Sequence, residues 1–326
     1  MEGSAGTVDE LHISNLPDLE HAILIGAFSG WNDAAGAASW AVKFLVNHWD
    51  AVEFARVDSE TFYDFIETRP KIRVANGSIR QLTWPATRFY VYRAPRENDQ
   101  PVGRDAVLML GEEPNLRWKT FSDVALDLCR RCHVEDVALL GALVAEVPHT
   151  LPVQVSGVAT NTARVRQMRE RGIVPADYEG PTGILAMLHD GFRKHDLPTS
   201  GLWGTAPHYV SATPNLPVSE ALLRHLEGLY GLGLRLDELG RAARRFNERV
   251  SALVNRDQDV AAYVHDLEQR LGGTGGLEAP WISGQFQRPE IAPRAGSGQV
   301  DLPTPQEAIE DVEALLRSFR EQSGTE

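Results

Sequence analysis

The chain has 326 residues, of which 43% are hydrophobic and 24% charged. These shares lie near globular averages and exclude a disordered, collagen-like or coiled-coil class for the bulk of it. Its 32 Lys and Arg face 45 Asp and Glu, and the net charge of -13 repels phosphate backbones and anionic lipid, so no nucleic acid and no membrane is expected as a partner.

Residues 1–20 read as an N-terminal arm. The start, Met1-Glu2-Gly3-Ser4, has neither the basic nor the apolar region of an export signal, and no apolar run approaches the ~20 residues that span a bilayer, so a cytoplasmic location is expected. The run Ala22-Ile23-Leu24-Ile25-Gly26-Ala27 is continuous and apolar, the pattern of a central strand buried on both faces. After the turn 28–32, Asp33 can cap a helix whose positions Ala37, Trp40, Ala41, Phe44 and Leu45 follow the 3.6-residue period.

Further strands are predicted at 52–57, 89–93, 106–110, 137–142 and 153–158, with helical patterns between several of them, which suggests a largely parallel sheet. Residues 58–85 mix turn signals with a strand pattern at 79–82 and predict an antiparallel excursion or hairpin. A helix at about 182–194, a strand at 201–206 and a helix at 218–229 close an α/β domain placed at 21–232. Two helical stripes follow, Leu239, Ala243, Phe246, Val250, Leu253 and then Val260, Val264, Leu267, Leu271, predicting a helical hairpin over 233–271. Residues 272–303 are Gly/Pro-rich, a linker or extended arm, and 304–326 carry a last helical stripe, Ile309, Val312, Leu315, Leu316 and Phe319, and a tail.

The sharpest pattern, Cys129-Arg130-Arg131-Cys132-His133, has the spacing of a redox or haem-attachment motif. Its cysteines, however, end a helix with the stripe Phe121, Val124, Ala125, Leu128 and Cys132, whereas a reactive thiol needs a helix N-terminus. Both are therefore expected to be reduced, with Cys132 filling core. There is no HExxH, no EF-hand loop, no GxxxxGK[ST], no GxGxxG after the first strand and no GxSxG, so no metal and no cofactor is expected.

Polar clusters instead follow the strands, at the rim where open parallel sheets place ligands. The first is Ser29-Gly30-Trp31-Asn32-Asp33. The second, Gly111-Glu112-Glu113-Pro114-Asn115, supplies two carboxylates and an amide, with Arg117 close by as a cation for phosphate or as part of a solvated helix face. The third, Glu146-Val147-Pro148-His149-Thr150, spaces an acid and a base three apart, for proton transfer or for bonding the loop backbone. The fourth, Tyr178-Glu179-Gly180-Pro181-Thr182-Gly183, opens a helix whose free N–H groups could hold an anion, with Thr182 as a cap in the absence of a ligand. The fifth, Ala206-Pro207-His208-Tyr209, adds an imidazole and a phenol.

In order and spacing, residues 26–36, 111–114, 141–150 and 178–184 resemble the bacterial, mainly actinobacterial, branch of the proteasome assembly chaperone two family, over roughly 20–232. The resemblance implies a three-layer, phosphorylase/hydrolase-like α/β/α sandwich with an all-helical C-terminal extension, in a homo-oligomer such as a trimer. Chaperone branches of that family engage the proteasome through a C-terminal hydrophobic-Tyr-any tail; this sequence ends Ser323-Gly324-Thr325-Glu326, so docking by that route is not expected.

Two functions follow. One is an oligomeric interaction or assembly protein, partnered by itself and by an unidentified protein, in which the rim is structural. The other is a small-molecule hydrolase or phosphorylase-like enzyme, with Glu112 or Glu146 as acid or base, His149 and His208 as proton donors or anion partners, and Asn32 orienting the substrate. Ser29, Trp31, Glu113, Asn115, Glu179 and Thr182 complete the ligand-binding candidates.

Overall fold

The computed structural model describes residues 10–75, 77–97, 100–101, 103–210 and 213–272. In chain order they form β1 (Leu11–Ile13), β2 (Ala22–Ser29), α1 (Ala37–His48), β3 (Val52–Val57), α2 (Ser59–Phe62), β4 (Lys71–Ala75) and β5 (Ser78–Thr83). Next come β6 (Thr87–Tyr92), β7 (Arg96–Glu97), β8 (Gln100–Pro101), β9 (Ala106–Glu112), α3 (Trp118–Arg131), β10 (Val134–Ala145) and β11 (Val155–Ala159). The described part ends with α4 (Thr162–Glu170), β12 (Val174–Pro175), α5 (Ile184–Lys194), β13 (Thr199–Pro207), α6 (Leu216–Tyr230), α7 (Asp237–Val254) and α8 (Gln258–Gly272). The helical stripe expected at 304–326 and, from residue 273 on, the arm expected at 272–303 lie outside the described residues.

Nine strands make one sheet in the order β1-β3-β6-β9-β2-β10-β13-β11-β12. Its centre, β9-β2-β10-β13, is parallel, while β1, β3 and β6 on one side and β11 on the other pair antiparallel with their inner neighbours. The sheet is therefore mixed rather than largely parallel. The connection between β3 and β6, residues 58–86, is spent on the four-residue α2 and the β4–β5 hairpin and carries no crossover helix long enough to return the chain in parallel. The expected excursion is the antiparallel hairpin β4–β5, a separate two-stranded sheet.

Alternation along β2 divides the core. Ile23, Ile25 and Ala27 face the side covered by α1, α6, α7 and α8, where Trp40, Phe44, Leu222, Leu239, Val250 and Val264 are buried. Leu24 and Phe28 face the side covered by α3 and α5, where Phe121, Leu128, Leu188 and Phe192 are buried. Helices thus lie on both faces of the sheet, and burial of residues 22–28 on both sides explains the unbroken apolar run. In α7 the buried stripe ends on Val254, with Leu253 half-buried. Among the described residues no helix is long and apolar enough to cross a membrane.

The two ends of the parallel core differ. At the N-terminal end of β10, Asp136 joins Arg104 at 2.7 Å and Arg164 at 3.2 Å, and Arg164 stacks over the Tyr230 ring. At the other end, β2 leads to α1 on one face and β9 leads to α3 on the opposite face. Adjacent strands whose connections diverge leave a crevice between them, the switch point where open α/β sheets take ligands.

Candidate functional site

Glu113 fills that crevice. Its Oε1 accepts from the backbone N–H of Ile184 at 2.8 Å and from the Asn32 side-chain amide at 3.4 Å, and its Oε2 accepts from the Trp31 N–H at 3.3 Å. One carboxylate thereby joins the first, second and fourth clusters. It also occupies the N-terminus of α5, where an external anion would otherwise sit. The α5 cap position is Gly183, which makes no side-chain cap bond, and Thr182 is exposed. The expected Thr182 cap is replaced by an acid 71 residues away. Gly183 is required here because a Cβ would collide with the Asn32 amide and the Glu113 carboxylate.

The N-terminus of α1 is closed in the same way. Asp33 accepts from the N–H groups of Ala38 and Ser39 at 2.8 and 3.1 Å and from the Ser39 hydroxyl, reaching across a 3-10 turn at Ala34–Gly36. Burial pushes its carboxyl pKa up while these bonds pull it down. Its neighbour Asn32 is buried and held by its carbonyl, which accepts from the Ala142 N–H at 2.7 Å.

An open cleft of about 540 Å³ lies beside Glu113, lined by Ser29, Glu67, Thr68, Glu112, Asn115 and Trp118 among others. Glu112 pairs with Lys71 at 3.7 Å and accepts from the Ala86 N–H at 3.4 Å. The Asn115 side-chain oxygen accepts from the Asp64 N–H at 3.1 Å and the Thr68 hydroxyl at 3.0 Å, which ties down the loop. Ser29 reaches only the Gly111 carbonyl, at 3.5 Å. Arg117 sits at φ 53° immediately before α3 and pairs with Glu10 at 2.6 Å. With Glu67, Glu112 and Glu113 on its wall, the cleft repels a phosphate.

His149 stands elsewhere, on a second, mostly apolar cleft of about 310 Å³ that includes Val147, Leu151, Val210 and Phe246. Its Nδ1 is 2.8 Å from the Tyr209 hydroxyl, and its Nε2 is 2.9 Å from the Ser251 hydroxyl. This has the outline of a serine–histidine pair, with Tyr209 on the other ring nitrogen. The His149 backbone N–H also donates to the Tyr209 oxygen at 2.8 Å. Burial holds the imidazole pKa below its ordinary value and pushes the Tyr209 phenol up to about 12. The trio ties the segment after β10 to α7.

Of the remaining candidates, His208 meets this group, its ring 5.5 Å from that of Tyr209 and 5.6 Å from that of Tyr263. Glu146 and Glu179 are exposed, and Trp31 is 57% exposed. His208 is exposed and lies 3.5 Å from the Tyr263 hydroxyl. Cys129 and Cys132 are free and buried; burial drives the Cys129 thiol pKa up and the Cys132 thiol pKa to about 11, opposite to a reactive pair. Among the described residues no three His, Cys, Asp or Glu are grouped to hold a metal.

Residues 27–254 match the PAC2 family. A PAC2 family protein from Streptomyces avermitilis is 40% identical, with a TM-score of 0.66, the match covering 74% of this chain and 99% of that one. The chain belongs to the PAC2 family. A proteasome-assembly chaperone homologue from Mycobacterium tuberculosis is 38% identical, with a TM-score of 0.67 over 74% of this chain and 99% of its own. An archaeal proteasome activator from Pyrococcus furiosus, 15% identical at a TM-score of 0.60 over 76% of this chain and 99% of its own, shares the fold. A search of curated proteins finds no significant match.

Within this PAC2 chain, Gly183, Ser39 and Ser251 do work that sequence reading missed. Ser39 lies within reach of Asp33 once the 3-10 turn is allowed for, so a capping pattern was there to find. Ser251 meets His149 across 102 residues, with no local signal.

Proposed function

We propose that this PAC2 chain is an assembly-chaperone-like interaction protein that associates with itself and with another protein, and that it performs no chemistry at the sheet rim. The observation that carries this reading is the use of Glu113 and Asp33, acids aimed at two helix termini of the rim, as caps for α5 and α1. In open α/β sheets such termini are ready-made sites for substrate anions. Here they are neutralised by the chain itself, and the adjoining cleft is acidic. The chaperone homologue among its relatives supports the same direction.

In this reading the 21–232 region is a phosphorylase/hydrolase-like α/β/α unit that has given up catalysis. Residues 233–271 serve as a helical extension docked on one face. Glu112 and His149 act as structural groups; Glu146, Glu179, Thr182 and Trp31 belong to a surface open to protein contact. A hydrolase or phosphorylase that used Glu112 with His149 would need them in one site, and they line different clefts, while Glu146, the other acid, is exposed.

The test is a turnover screen of the purified full chain against nucleoside, glycoside and amide substrates, with and without phosphate, alongside native mass spectrometry. The expected result is no turnover and a mass that is a multiple of the single chain. Turnover abolished by Glu112→Gln or His149→Ala overturns the non-catalytic reading; a monomer overturns self-association.

A further inference from the structure

The hairpin β4–β5 stands apart from the nine-stranded sheet. Its register sets Ile72 opposite Leu82 and Val74 opposite Ile79, while Lys71 faces Thr83 and Arg73 faces Gln81. The irregularity between Arg73 and Val74 lets Ile79 and Leu82, three apart, share the face of Ile72 and Val74. The result is an amphipathic ribbon with four branched aliphatic side chains on one side and cations on the other.

That apolar side is uncovered. Ile72, Val74, Ile79 and Leu82 are 56%, 56%, 67% and 49% exposed, and Trp84 beside them is 44% exposed. A lone two-stranded hairpin is marginal in water and needs a third layer to hold its shape. Contiguous exposed aliphatics of this kind mark a contact surface.

We propose that the apolar face of β4–β5 is where a second copy of this chain docks, an inference that rests on the self-association proposed above. The cover must be present whenever the chain is folded, and another copy meets that condition. Charge points the same way: residues 69–84 contain Arg69, Lys71, Arg73 and Arg80 and no Asp or Glu, in a chain of net charge -13. A basic arm on an acidic protein is complementary to the body of its neighbour.

The experiment is sedimentation equilibrium of the full chain and of two variants, Ile72→Asp/Val74→Asp and Arg73→Glu/Arg80→Glu, with Val52→Asp as a control at an exposed aliphatic outside the hairpin. Circular dichroism checks each fold. Hydrogen exchange of the wild-type hairpin amides is measured over a dilution series and needs no variant. The expected result is an oligomeric wild type and control, hairpin variants that sediment at the single-chain mass, and hairpin protection that falls on dilution. Folded hairpin variants that remain oligomeric, or protection unchanged on dilution, overturn the hairpin interface and leave self-association standing. A monomeric wild type overturns both. If that monomer's hairpin amides are protected, the cover is the chain's own 273–326 segment and not a second copy.

Discussion

Replacing Glu113 by alanine removes the acceptor for the Ile184 N–H, which belongs to a fully buried residue at the start of α5. A buried donor left unpaired costs about 1 to 3 kcal/mol, and loss of a carboxylate at a helix N-terminus costs a further ~0.3 to 1 kcal/mol. The weaker contacts to Asn32 and Trp31, at 3.4 and 3.3 Å, add little. The expected loss is therefore about 1 to 4 kcal/mol in urea denaturation, with Tm falling by about 2 to 4 °C per kcal/mol for a domain of this size. Glu113→Gln keeps an acceptor oxygen and loses only the charge, so it should cost about 1 kcal/mol or less. The ordering wild type, Gln, Ala is the signature of a cap. Residues held for function at the expense of stability behave oppositely, and their removal leaves stability unchanged or raised. A Glu113→Ala protein as stable as wild type would refute the capping argument.

His149→Ala strands the Tyr209 and Ser251 hydroxyls and opens a gap, and should cost about 1 to 3 kcal/mol by the same denaturation assay; a neutral effect would show that the trio bears no structural load. Burial lowers the pKa of His48, His149, His189 and His225, so below about 6.5 the unfolded chain binds protons that the native chain refuses. Stability held above that pH should fall between pH 7 and 5, by up to about 1.4 kcal/mol per pH unit for each histidine, with Asp33 opposing only at the acid end because its pKa is raised. A urea midpoint that is flat or rises toward pH 5 would contradict this. Both cysteines should resist a thiol reagent at pH 8 until denaturant is added, since burial suppresses their thiolates; rapid labelling of the native protein would reopen the redox reading.

The central strand, α1 and the long C-terminal helices were legible because each carries a strong period or a continuous apolar run. The outer strands were legible too, but their antiparallel direction was not, because pairing direction depends on connection geometry and not on the strand's own residues. At the rim the clusters were located but misjudged as groups. Glu113 was one candidate among several until the fold set it against α5, and Thr182, a sound local cap, lost to it because the half-buried carboxylate satisfies the α5 N-terminus with a full charge. His149 carried no sign of Ser251, and the exposed face of β4–β5 emerged only from its register.

The claim that the rim is closed by its own carboxylates is tested most directly by a thermal-shift titration of the full chain with inorganic phosphate, sugar phosphates, nucleosides and amino acids. Any ligand of the native state raises its Tm by mass action. The account predicts no shift in wild type with any of them. A concentration-dependent rise that disappears in Glu113→Gln would contradict it.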